Sequence, residues 1–218
     1  MEQYFSLLGK NPLFASVGEE NLSSMLTCLE AKVQAVPKDS YALRAGEKPE
    51  TIGVLLEGKL QITREDAEGN RALLAVLMPG DFYGETLVCA GVPQSPVSIL
   101  ALSPSKILRL DVRKLITVCS HACEFHSMVI RNLVWVMARK NLHLQSRMEV
   151  LDQKSIRDRI LLYLSMQEKK HGEAFTVPFN RNELADYLAV DRSALSRELG
   201  RLRDEGALDF HKNQFTLH

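Results

Sequence analysis

Four arginines and two serines fall within one short stretch, DRSALSRELGRLRDEG, residues 191–206, and their spacing decides what they can do. Ala194, Leu195, Leu199 and Leu202 recur at helical intervals, which leaves Arg192, Ser193, Ser196, Arg197 and Arg201 on the opposite face. A guanidinium fork near the start of such a helix can donate to O6 and N7 of one guanine, and serine hydroxyls donate or accept more permissively. The chemistry is readout of base edges in duplex DNA. From Arg192 to Arg203 the four arginines meet one acid, Glu198, a local basic surplus on a chain whose 27 basic and 27 acidic residues otherwise cancel. Taken alone, the same pattern also describes a helical hairpin with a solvated basic face.

Other chemistry is thinner. Cys119 and Cys123 stand four apart with His121 and His126 close by, a spacing that on a helix puts both thiols on one face. The bland expectation is inert packing; the rival is a metal- or haem-dependent redox sensor. The four cysteines are too scattered for a disulfide framework. No nucleophile with a base, phosphate-cradling glycine loop or His-Glu zinc pattern stands out, so an enzyme is not expected. His143 and His171 read as helix-face or surface residues.

The elements that must hold the arginines are legible. Asn180 can cap a first helix with Glu183 three residues on, Leu184 and Leu188 mark its buried face, Ala189-Val190 make a turn, Asp191 caps the second helix and Gly206 closes it. ALDFHKNQFTLH then predicts two short strands about a Lys212-Asn213 turn, the wing of a winged helix-turn-helix. That context favours DNA binding over the bland hairpin.

Upstream, residues 1 to about 30 look helical, interrupted at Pro12 and Gly18. From about Ala31, short apolar runs (VQAV, TIGVLLEG, KLQIT, ALLAVL, VSILAL, KILRLD) alternate with turn signals and imply roughly eight strands in a sandwich or roll. Helical periodicity returns near Arg113 for some 35 residues through Val129, Leu133, Val136, Met137, Leu144, Met148 and Leu151, a helix longer than the roll can cover, with one stripe expected to pack on a second subunit. A second block, Lys154 to Lys169, leads into the helix-turn-helix, and Gln167 to Glu173 reads as a loop. The expected fold is thus α+β in three parts: an effector-sensing roll over 1–118, a long dimerisation helix over 119–151 and a winged helix-turn-helix over 152–218. No apolar run approaches a bilayer span, and the start lacks the basic segment and apolar core of an export signal, so a cytoplasmic protein with no membrane partner is expected.

N-terminal helix, eight-stranded roll, long helix and winged helix, in that order, resemble the Crp/Fnr family of bacterial transcription regulators. The resemblance rests on RAGEKPETIGVLLEGKLQI with Gly46 and Gly58, on PGDFYGE with Gly80, Gly84 and Glu85, and on DRSALSREL. It implies a homodimer paired through the long helix, a small-molecule effector between roll and helix, an inverted-repeat DNA site, and RNA polymerase as a further partner.

In the cyclic-nucleotide branch of that family a Gly-Glu pair binds the ribose and an Arg-Ser pair clamps the phosphate. Here Gly84-Glu85 stand in the first place, but Gln94-Ser95 stand in the second, and a Thr-Ser pair that meets adenine aligns with Leu144-Gln145. Glutamine cannot replace the charged fork. The resemblance therefore implies an effector site of Gly84, Glu85, Gln94, Ser95, Lys140, Leu144 and Gln145 that does not take cyclic AMP. Lys140 breaks the apolar seam, with Glu85 the expected partner and solvent the alternative. Only Cys28 precedes the roll, which leaves no ligand set for the iron-sulfur cluster of the oxygen-sensing branch.

Overall fold

Residues 32–111 alternate between turn-formers and β-branched or apolar runs, and they build eight strands. These are β1 (Lys32–Val36), β2 (Tyr41–Leu43), β3 (Thr51–Glu57), β4 (Leu60–Glu65), β5 (Arg71–Leu77), β6 (Phe82–Tyr83), β7 (Ser98–Ala101) and β8 (Ser105–Asp111). They form two antiparallel four-stranded sheets, ordered β1-β8-β3-β6 and β2-β7-β4-β5. The computed structural model describes residues 1–66, 68–116 and 124–218; the Cys119–Cys123 pair lies outside the described residues.

The unbroken apolar run of β3 has a physical reason: both its faces are covered. Leu55 points between the sheets with Leu60, Ile99 and Ile107. Ile52, Val54 and Leu56 point the other way, into a core shared with Leu8, Leu13, Phe14, Leu22 and Met25 of the N-terminal segment. Each such side chain contributes about 1.5–3 kcal/mol on burial. The N-terminal segment is not one helix. It divides into 3-10 turns at Glu2–Tyr4 and Pro12–Phe14 and helices α1 (Phe5–Gly9) and α2 (Glu19–Cys28), with breaks at the proline and glycine. Asn11, almost wholly buried, ties it to the roll by donating to the Gly80 carbonyl (2.8 Å) while accepting from the Leu13 N–H. At the β3–β4 turn Gly58 has φ +93°, and a Cβ there would meet the Pro104 carbonyl oxygen at 2.6 Å, so the sheets close over a residue that must lack a side chain.

A short helix α3 (Glu85–Cys89) follows β6, and α4 (Val112–Ile116) follows β8. The long helix α5 runs from Glu124 to Leu151, 28 residues or about 42 Å. The apolar stripe read from the sequence divides on it. Val129 and Leu133 are buried in the N-terminal core, with Met137 packed against it and Val136 also buried. The exposed apolar residues are Val134, Trp135, Leu142, Leu144 and Met148. The first half of the helix is thus closing the roll with the residues that the spacing assigned to a partner.

The chain forms two compact units, Met1–Ala138 and Arg139–His218, which meet within α5. The second contains α6 (Ile156–His171), β9 (Ala174–Thr176), α7 (Arg181–Leu188), α8 (Arg192–Asp204), β10 (Leu208–His211) and β11 (Gln214–Leu217), with sheet order β10-β11-β9. Gln167–His171, read as loop, is the last turn of α6. Lys169, Lys170 and His171 suit a helix C-terminus, and Gly172 ends it. The wing gains a third strand, β9, through Phe175 opposite Phe215. Ile160, Leu164, Leu184, Leu195, Leu199, Leu202 and Phe215 form this unit's own core.

Candidate nucleic-acid interface and roll corner

Hydrogen bonds at each end hold the two helices around the turn. The Asn180 side chain accepts from the N–H groups of Asn182 (2.9 Å) and Glu183 (3.0 Å), and the Glu183 carboxylate accepts from the Asn180 N–H (2.7 Å), a complete capping box. The helix α7 stops at Ala189, whose φ of +51° reverses the chain without a glycine. Arg159 of α6 donates to the Leu188 and Ala189 carbonyls (3.2 and 3.3 Å), supplying partners for the exposed end of α7. Asp191 then caps α8, accepting from the N–H groups of Ser193 (2.8 Å) and Ala194 (3.1 Å) and from the Ser193 hydroxyl (2.5 Å). Those donors, the Ser193 hydroxyl foremost, hold the Asp191 carboxyl below the usual carboxylate range.

Arg192, Ser193, Ser196, Arg197 and Arg201 are all exposed, while Leu195, Leu199 and Leu202 are buried. Their roles separate. Arg192 and Arg197 form no ion pair among the described residues. Arg201 pairs with Glu198 (3.3 Å), which also faces Arg157 (3.6 Å) in a group completed by Glu205. The Ser193 hydroxyl is committed to the Asp191 cap. Arg181, at the start of α7, was not singled out by spacing, because one arginine before a capped helix carries no periodic signal. Its guanidinium lies over Phe210 (5.1 Å) and donates to the Lys212 carbonyl (3.1 Å), linking the helix pair to the wing. Burial, then repulsion from Arg192, pushes its pKa down. Two cations that raise each other's free energy this way favour an anion beside them.

In the roll, Gly84 has φ +86° and a Cβ there would approach the Thr51 carbonyl oxygen at 2.9 Å. Glu85 is buried at the head of α3, where its carboxylate accepts from the Thr86 hydroxyl (3.1 Å). Ser95 is buried too. Its hydroxyl donates to the Val97 carbonyl (2.8 Å) and accepts from the Val97 N–H (3.2 Å), while its backbone bonds Gly46 and Glu47. Gln94 beside it is exposed. Lys140, Leu144 and Gln145 are exposed on the part of α5 that belongs to the second unit. The sequence also gave no sign of Arg109, whose guanidinium donates to the Thr51 hydroxyl (3.0 Å) and the Ala42 carbonyl (2.7 Å), bridging the sheets from an otherwise apolar strand. Among the described residues no group of His, Cys, Asp and Glu could hold a metal ion, and no helix is long and apolar enough to cross a membrane.

Residues 33–122 match the model of the cyclic nucleotide-binding domain, and residues 159–218 that of the Crp-like helix-turn-helix domain. The chain is similar to the cAMP-activated global transcriptional regulator CRP of Pasteurella multocida, at 23% identity over 191 residues, 85% of this chain and 90% of the relative. It is similar also to the Cyclic AMP receptor protein of Thermus thermophilus, at 22% identity over 199 residues, 91% of this chain and 88% of the relative. Among solved structures, the Thermus thermophilus catabolite activator protein shares the fold with a TM-score of 0.57 at 20% identity, covering 95% of this chain and 94% of that one. Roll, long helix and winged unit, matched at both ends by these domain models, make this chain a member of the Crp/Fnr family of transcription regulators, with a cyclic nucleotide-binding-like domain and a DNA-binding helix-turn-helix.

Proposed function

We propose that the protein is a homodimer that binds an inverted-repeat DNA site under the control of a small molecule held in the roll, and that this effector is not cyclic AMP. The observation that carries the DNA reading is the outer face of α8, where Arg192 and Arg197 stand exposed and without an ion pair among the described residues on a helix fixed by the Asp191 cap. Dimerisation is supported by exposed apolar residues of α5, where Leu144 (57% exposed) and Met148 (63% exposed) stand four apart on one face. Exposed apolar side chains in a row on one helix favour a partner surface. A two-fold axis then puts two α8 helices into successive major grooves on one face of the duplex, about 34 Å apart. Contact with RNA polymerase follows from the family resemblance.

Against cyclic AMP stand Gln94, which brings no charge to a phosphate, and the Ser95 hydroxyl, already bonded at Val97. Selection of bound duplexes from a random pool tests the DNA reading; two arms in inverted orientation are expected, and a direct repeat or no enrichment would refute it. Calorimetry with cyclic AMP tests the effector reading, with no heat at micromolar concentrations expected.

A further inference from the structure

The second unit contains a cavity that none of the roles above uses. It has a volume of about 470 Å³ and lies between α5 on one side and α6, the Pro178-Phe179 turn and α7 on the other. That volume suits a small organic ligand.

Three rings make its floor. Phe179 and Tyr187 have centroids 4.9 Å apart, and Tyr163 and Tyr187 5.1 Å apart, all mutually tilted. The far side of this cluster is supported by Arg147, whose guanidinium sits 5.2 Å from the Tyr187 centroid. The rim carries Arg139, His143 and Lys170 and no aspartate or glutamate, so the wall is uniformly basic. Tyr163 supplies an independent observation. The residue is 3% exposed and lines the cavity, and its hydroxyl, bonded to no described residue, is reached by solvent. A phenol placed so can exchange its water for a ligand acceptor. An aromatic floor, a phenol donor open to solvent and a rim of basic residues together suit a flat ring bearing a negative charge.

We propose that this cavity is a binding site for a small aromatic carboxylate, distinct from the effector site of the roll. The ring stacks against Phe179 and Tyr187. The carboxylate accepts from the Tyr163 hydroxyl and lies against Lys170 and Arg139. A neutral ring of equal size gains the stacking but not the charge-assisted bonds, which are about twice as strong as neutral ones. The site therefore discriminates acid from amide.

The test is calorimetric titration of the full chain with 2-naphthoate and, separately, with 2-naphthamide. The expected result is a dissociation constant for the acid of order 100 µM, as a ligand of this size allows, and at least roughly tenfold weaker binding of the amide. Lys170→Gln should weaken the acid about tenfold while leaving the amide unchanged, and Tyr163→Phe should weaken the acid severalfold without loss of fold. Ser146→Trp, a substitution on the half-buried wall of α5, should fill the cavity and abolish both. Equal affinity for acid and amide, binding that survives Ser146→Trp in a protein with unchanged circular dichroism, or no binding at millimolar ligand would each overturn the proposal. Because the readout is heat of binding rather than DNA affinity, its failure is separable from failure of the DNA reading.

Discussion

Arg159 donates to the carbonyl of Ala189, the residue at which the helix-turn-helix reverses with φ +51°. An alanine in the left-handed region costs about 1–2 kcal/mol, and the α7 carbonyls around it lack helical partners; the guanidinium offsets part of both deficits from a neighbouring helix. Arg159→Ala should lower the thermal midpoint of the winged unit by several degrees, roughly 4 °C, and Ala189→Gly should recover part of that loss in the double variant. Melting followed by circular dichroism checks both, and an Arg159→Ala midpoint equal to that of the parent would show the contact to be idle.

Ser193 and Arg197 should part company in DNA binding. The Ser193 hydroxyl already serves Asp191, so Ser193→Ala should leave the preferred DNA sequence unchanged. Arg197→Ala should weaken the cognate site about ten- to hundredfold and relax preference at one position. Fluorescence anisotropy on a panel of single-base variants separates the cases, since a loss uniform across all duplexes would mean that Arg197 touches phosphate alone.

Alkaline stability should depend on Tyr163. Burial, with Tyr187 nearby, pushes its pKa up. The folded value therefore exceeds the unfolded value of about 10, so the contribution to stability is complete below that pH and is lost as pH rises toward the folded value. Urea midpoints measured between pH 8 and 11 should fall at the top of that range in the parent and fall less in Tyr163→Phe. Tyr187, also raised by burial but held back by Arg147, contributes in the same direction.

Gly84→Ala should destabilise the roll, since the new methyl would sit 2.9 Å from the Thr51 carbonyl oxygen at a φ that L-residues avoid. A cost of about 1–3 kcal/mol is expected, read as a lower denaturant midpoint, and an unchanged midpoint would mean that the β6–α3 corner relaxes freely.

Where a local signal existed, the sequence was a faithful guide. Asn180 with Glu183, Asp191 and Gly206 announce helix ends through hydrogen bonds made within a few residues, and each end lies there. Six of the eight strands were legible as apolar runs bracketed by turn residues, whereas β2 and β6, three and two residues long, carried no run of their own. What escaped depends on distant partners. β9 is three residues long and exists because β11 offers it a sheet edge. Arg109 finds its acceptors on β2 and β3, some sixty residues away in the chain. The period of α5 identified its apolar positions but not their owners, because 3.6 residues per turn says which side chains share a face and nothing of what covers it. The Cys119–Cys123 reading falls outside the described residues.

The two-sided use of α5 has a consequence for how the protein tolerates change. Val129 and Leu133 answer to the roll, Leu144 and Met148 stand exposed on one face, and Val150 belongs to the core of the winged unit. A helix answering to two cores, and to a second subunit under the proposed dimer, has few silent positions, so random substitution along it should be punished in separate phenotypes: loss of folded sensor at one set, loss of repression or activation with the protein still abundant at another. Plotted against residue number, those two classes of lesion should interleave with helical period rather than cluster in blocks.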